Sequence, residues 1–140
     1  MKRFAVSMTI LFTALLLTGM GGLGGGPEGT VPETKENIKA RVFDRSGAVA
    51  ELSQFSMDGN VFLMGKFGDG EVTVFFKDLR GVDFNQVTGE YIPAKLQLDS
   101  GDALDLKIRK RAVFYGSTGF GAYQIRARDI KRIEFPEGEG

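Results

Sequence analysis

"EVTVFFKDLRGVDF" (71–84) and "AYQIRARDIKRIEF" (122–135) decide how this chain is read. At an offset of 51, Val74 meets Ile125, Asp78 meets Asp129, Leu79 meets Ile130, Val82 meets Ile133 and Phe84 meets Phe135. Just upstream, "GKFGDG" (65–70) and "GSTGFG" (116–121) keep all three glycines at the same offset. Further upstream, "ARVFDRSGAVAEL" (40–52) matches "AKLQLDSGDALDL" (94–106) at an offset of 54, so the second stretch is three residues shorter, with the difference placed around Met57–Asn60. Self-similarity over such a length marks an internal repeat.

Apolar residues alternate beyond Ile38 and turn residues recur at short intervals, which is strand patterning with no window for an amphipathic helix. Each copy runs into a Ser-Gly turn (Ser46-Gly47, Ser100-Gly101), where glycine supplies the positive φ of a tight hairpin. It returns through Val49–Phe55 or Ala103–Lys110, and a third strand (Val61–Met64, Ala112–Tyr115) enters the glycine loop. A fourth strand leaves that loop. Asp78 and Asp129 are then expected to open a short helical turn by accepting a backbone N–H, before a last strand ends at Phe84 or Phe135. The expected fold is all-β: two tandem repeats of roughly 45 residues with about five short strands each, as SH3-like or Sm-like half barrels or one shared β-sandwich.

The second copy resembles uncharacterised exported bacterial β-domains that carry a Thr-x-Phe/Tyr-Gly turn followed by Asp-Ile-x-x-Ile-Glu-Phe. The matching positions are Thr118, Gly119, Phe120 and Gly121, then Asp129, Ile130, Ile133, Glu134 and Phe135. The resemblance implies an exported β-domain and brings no catalytic residues with it.

The N-terminus agrees with export. Lys2 and Arg3 precede the apolar run Phe4–Leu17, and small residues follow, the plan of a secretory signal peptide. An uncleaved signal holding the protein at the membrane is the alternative. Leu17-Thr18-Gly19-Met20 stops one residue short of a lipoprotein box: Met20 stands where the lipidated cysteine would be, so no lipid anchor is expected. The organisation reads as signal peptide 1–21, Gly/Pro-rich tether 22–37, β-repeats 38–92 and 93–136, and a disordered tail 137–140. The setting is periplasmic or secreted.

Composition narrows the chemistry. The chain of 140 residues has no Cys and no His, which removes thiol and imidazole nucleophiles and most zinc, haem and iron–sulfur ligand sets. Formal charge is zero, giving no reason to expect nucleic acid as partner. The glycine loops lack a following helix and the Gly-Lys-Ser/Thr of a phosphate loop, so they read as hairpin turns. Asp99, Asp102 and Asp105, like Asp58, Asp69 and Glu71, lack the alternate spacing of a calcium loop and read as turn residues. No metal or cofactor is expected. A carboxylate-dependent hydrolase of envelope glycan is the enzymatic alternative, and a subunit that adds strands at an open sheet edge is a third.

The best functional signal is basic. Alternation puts Lys107, Arg109 and Arg111 on one strand face and Arg126 and Arg128 on another. If those strands are neighbours, the five cations form a surface for phosphates, carboxylates or a protein partner. From residue 94 onward nine Lys/Arg stand against seven Asp/Glu, net +2, whereas residues 22–93 carry seven against eleven, net −4. Phe75, opposite in phase to Val72, Val74 and Phe76, is expected to pack between the repeats or meet a partner. The reading is a non-enzymatic, exported envelope domain for binding or scaffolding.

Overall fold

The computed structural model describes residues 30–136; the leader, the first half of the tether and the tail therefore lie outside the described residues. Ten strands run in chain order: β1 (Ala40–Asp44), β2 (Val49–Met57), β3 (Phe62–Phe67), β4 (Gly70–Phe75), β5 (Leu79–Phe84), β6 (Tyr91–Leu98), β7 (Ala103–Arg109), β8 (Val113–Ser117), β9 (Ala122–Arg126) and β10 (Ile130–Glu134). They form one curled, antiparallel sheet in the order β9-β8-β2-β1-β10-β5-β6-β7-β3-β4. The all-β expectation holds; a two-sheet sandwich does not form.

Turn chemistry drives the hairpins. Gly47 and Gly101 close β1–β2 and β6–β7 at φ +102° and +99°, a region that penalises any side chain. The glycine loops are hairpin turns as read. Both helical turns exist, as single 3₁₀ turns, but they begin earlier than the sequence suggested. They span Phe76–Asp78 and Ala127–Asp129, so the aspartates end them and neither turn has a side-chain cap. The buried Phe76 and Ala127 anchor the turns instead: their N–H groups donate to the carbonyls of Val61 (3.1 Å) and Ala112 (2.8 Å).

The strand order has a property that alternation cannot reveal. Exchanging β1–β5 with β6–β10 and reversing the list returns the same list. The hairpin β3–β4 pairs with β7, and β8–β9 pairs with β2, so each hairpin docks on the other half. β5 and β10 meet at the middle through Val82 opposite Ile133. Two small residues permit the cross-docking. A Cβ on Gly65 would lie 2.8 Å from Leu106 Cβ, and one on Gly116 would lie 2.8 Å from Leu52 Cβ. Only a bare α-carbon lets those strands approach.

The concave face carries one core. Val42, Leu63, Val82, Ile92, Leu96, Ile108 and Ile133 are fully buried along it. At one end Phe55, Phe76, Phe114 and Phe135 stack or tilt together at centroid separations of 5.2–5.8 Å. Such offset and edge contacts add about 0.5–1.5 kcal/mol per pair beyond area burial. The extra residues of the first half are shared between a bulge in β2 at Gln54 (φ +52°) and the turn at Asp58-Gly59 (φ +53° and +90°). The bulge takes Gln54 N–H out of the ladder, and Asn37 Oδ1 accepts it at 2.8 Å. Thr34 Oγ1 also lies 3.1 Å from Gln54 Oε1. The last four residues of the expected tether are therefore tied to the sheet.

Candidate functional site

On the convex face, polar side chains form a ladder across the central strands. Glu51, Arg41, Glu134, Arg132 and Asp83 link in series at 2.7, 3.1, 3.1 and 2.6 Å, and Gln97 donates to Asp83 at 3.0 Å. The ladder raises both arginines above their ordinary pKa. For Arg41 the Glu51 hydrogen bond is the largest cause; for Arg132 desolvation is largest in size and opposes the rise, which Asp83 and Glu134 outweigh. Glu51, Glu134 and Asp83 are thus committed to arginines.

Beyond the ladder lies the candidate site. β3 pairs with β7 at the single register position Lys66 opposite Lys107, and Lys107 is flanked on its other side by Pro93. The strands part there to leave a groove of about 470 Å³ lined by Lys66, Phe67, Pro93, Lys95, Asp105 and Lys107. Lys95 is 3.8 Å from Asp105. Lys66 Nζ sits 5.6 Å from the centroid of the Tyr91 ring, a cation–π contact. Neither Lys66 nor Lys107 has an ion pair among the described residues. Like charges directly across a ladder repel, so the fold gains nothing from this pairing.

The other half supplies the comparison. Its equivalent register pair is Ser53 opposite Ser117. A groove of about 300 Å³ lies beside it, lined by Ala40, Glu51, Leu52, Thr118, Gly119 and the two serines. These are the positions of Ala94, Asp105, Leu106, Phe67, Gly68, Lys107 and Lys66 in the repeat alignment. One scaffold position therefore holds two small hydroxyls in one half and two ammonium groups in the other.

The five cations singled out from the sequence do not lie on neighbouring strands. β7 and β9 are not neighbours, because β8–β9 hydrogen-bonds to β2 and leaves β7 to β3 and β6. Lys107 faces Lys66. Arg109 is held by Asp58 at 3.1 Å, and the same carboxylate accepts Val113 N–H at 3.2 Å. Arg111 lies 4.0 Å from Glu90. A corner does gather the others: Arg126 is in register with Val113, and Arg128 N–H donates to the Lys110 carbonyl at 3.2 Å. The chain carrying Arg111 thus passes the chain carrying Arg126 and Arg128. Phe75 is half exposed and its ring meets Phe62 edge-on at 5.8 Å. That contact lies within its own hairpin, and Phe75 also lines a shallow groove with Leu98, Asp99 and Ser100 of the other half.

Sequence reasoning missed Lys66, Tyr91 and Phe67. The signal was present in the repeat alignment, where Lys66 and Lys107 both fall on serines. It was not legible because the pairing of the strand that carries Lys66 with the strand that carries Lys107 joins residues far apart in sequence.

These observations define an all-antiparallel β-domain with a groove lined by Lys66, Lys95 and Lys107. The chain belongs to a family described as "Uncharacterised protein", whose model matches residues 34–138. It is 30% identical over 132 residues to an uncharacterized protein of Aquifex aeolicus (strain VF5), a match covering 94% of this chain and 96% of that one. The length of that alignment carries it into the first thirty residues.

Proposed function

We propose that the chain is an exported, non-enzymatic cell-envelope domain, built from two copies of one five-stranded unit, that binds an anionic polymer or an acidic protein surface. The observation that carries the binding reading is Lys66 facing Lys107 without an acid partner at a position where the other half is content with two serines. An anion between the two ammonium groups would turn a repulsive pair into a bidentate clamp, since each ammonium brings three donors. Phe67 and Pro93 beside it offer an apolar wall for a polymer backbone. The repeat reading is supported by the invariance of the strand order and by the paired contacts Gly65–Leu106 and Gly116–Leu52. Export is supported by the charged and apolar leader, and Met20 favours release over lipidation. The commitment of Glu51, Asp83 and Glu134 to arginines favours binding over carboxylate-driven hydrolysis.

The test is envelope association of the full chain against salt. Wild type is expected to bind an envelope fraction and to be released as salt rises. Lys66→Ser with Lys107→Ser should release at clearly lower salt. Arg109→Ala, whose guanidinium already holds Asp58, should behave nearly as wild type. Equal retention of the double variant and wild type would rule out the groove.

A further inference from the structure

The two ends of the sheet were not used by the groove, and they carry an independent message. β4 and β9 are the edge strands, each paired on one side only. Beyond those ladders, no hydrogen bond reaches the backbone of either strand among the described residues. Their concave-face side chains Val72, Val74, Tyr123 and Ile125 remain only partly buried. Neither edge carries the inward charge, proline or bulge that ordinarily discourages pairing.

We infer that β4 of one copy docks against β9 of a second copy, continuing the sheet head to tail. Every neighbouring pair in the sheet is antiparallel. With ten strands the first and last therefore run oppositely, so a copy added in the same orientation meets the edge antiparallel with its concave face on the same side. One register matches everything at once. Placing Glu71 opposite Arg126 sets Thr73 opposite Gln124 and Phe75 opposite Ala122 on the convex face. On the concave face it sets Val72 opposite Ile125 and Val74 opposite Tyr123, covering the four half-buried apolar side chains. Charge complementarity selects this occupant over like edges: β4 against β4 about Thr73 leaves Glu71 beside Phe75, and β9 against β9 about Gln124 leaves Arg126 beside Ala122. Such a contact is heterologous and propagates into rings or filaments.

The chain has no cysteine, so introduced thiols are the only ones present. Facing residues in an antiparallel ladder have Cα atoms about 4.5–5.5 Å apart, within disulfide range. The full chain carrying both Thr73→Cys and Gln124→Cys should, on mild oxidation, give a ladder of covalent dimers, trimers and longer species. The two single variants mixed should give dimers, and each single variant alone, or Ser100→Cys as a collision control, should stay monomeric. Adding Glu71→Arg should thin the ladder several-fold, and adding Arg126→Glu to that variant should restore it. A dimer from Thr73→Cys alone would establish β4-to-β4 pairing and overturn the proposal. An internally bridged monomer, or no disulfide, would overturn it as well.

Discussion

Gly65 and Gly116 set how closely the two halves can interlock. An alanine methyl at either position lands 2.8 Å from a leucine Cβ on a neighbouring strand, an atom fixed to the backbone that no side-chain rotation can withdraw. Gly65→Ala or Gly116→Ala is expected to cost about 1–3 kcal/mol in chemical denaturation, while Gly119→Ala, with open space around it, should be close to neutral. At the first turn, the Ser46 hydroxyl and then the Ala48 N–H hold the Asp44 carboxyl below its ordinary pKa. A carboxylate lowered in the folded state stabilises above the unfolded pKa and loses that contribution as pH falls through its folded value. Ser46→Ala should therefore be less stable than wild type at neutral pH, and the gap should close in acid. Parallel unfolding curves at neutral and acid pH measure it.

The hairpins were legible because their turns are local: Gly47 and Gly101 announce positive φ, and alternation in β6 or β7 announces which side chains face inward. Their partners were not legible. Whether β8 lies on β7 or on β2 is decided by Gly116 meeting Leu52, a contact between residues far apart in sequence. The strands carrying the five cations are not side by side for that reason, and half of the lysine pair was not visible in the sequence. Two consequences follow for the convex face. Arg132→Ala removes the link between Asp83 and Glu134 and leaves two carboxylates near each other. A loss of about 1 kcal/mol is expected, discounted for partial exposure and shrinking in high salt. Conversely, replacing Lys66 and Lys107 by the serines of the other half relieves a like-charge pair and should stabilise the ligand-free protein by about 0.2–1 kcal/mol. Thermal melts at low and high salt separate the two effects.

At the scale of the molecule, the exchange of hairpins makes the halves mutually dependent. Neither β3–β4 nor β8–β9 has its docking strand within its own half, and the loop 85–90 is a connection between units that are already interleaved. A protease site engineered between Gln86 and Gly89 should yield two fragments that co-elute and melt in one transition; fragments that separate would contradict the interleaved account. The same interleaving places Lys66 of the first half against Lys107 of the second, so the groove belongs to the whole sheet and to neither half alone. The most direct measurement of its role is calorimetric titration of the full chain with long-chain polyphosphate, beside its thermal melt. Lys66→Ser with Lys107→Ser is expected to lose the binding heat shown by wild type while its ligand-free melting temperature rises. A double variant that still binds as wild type does, or a wild type that shows no binding of polyphosphate or polyglutamate, would contradict an anion-binding groove.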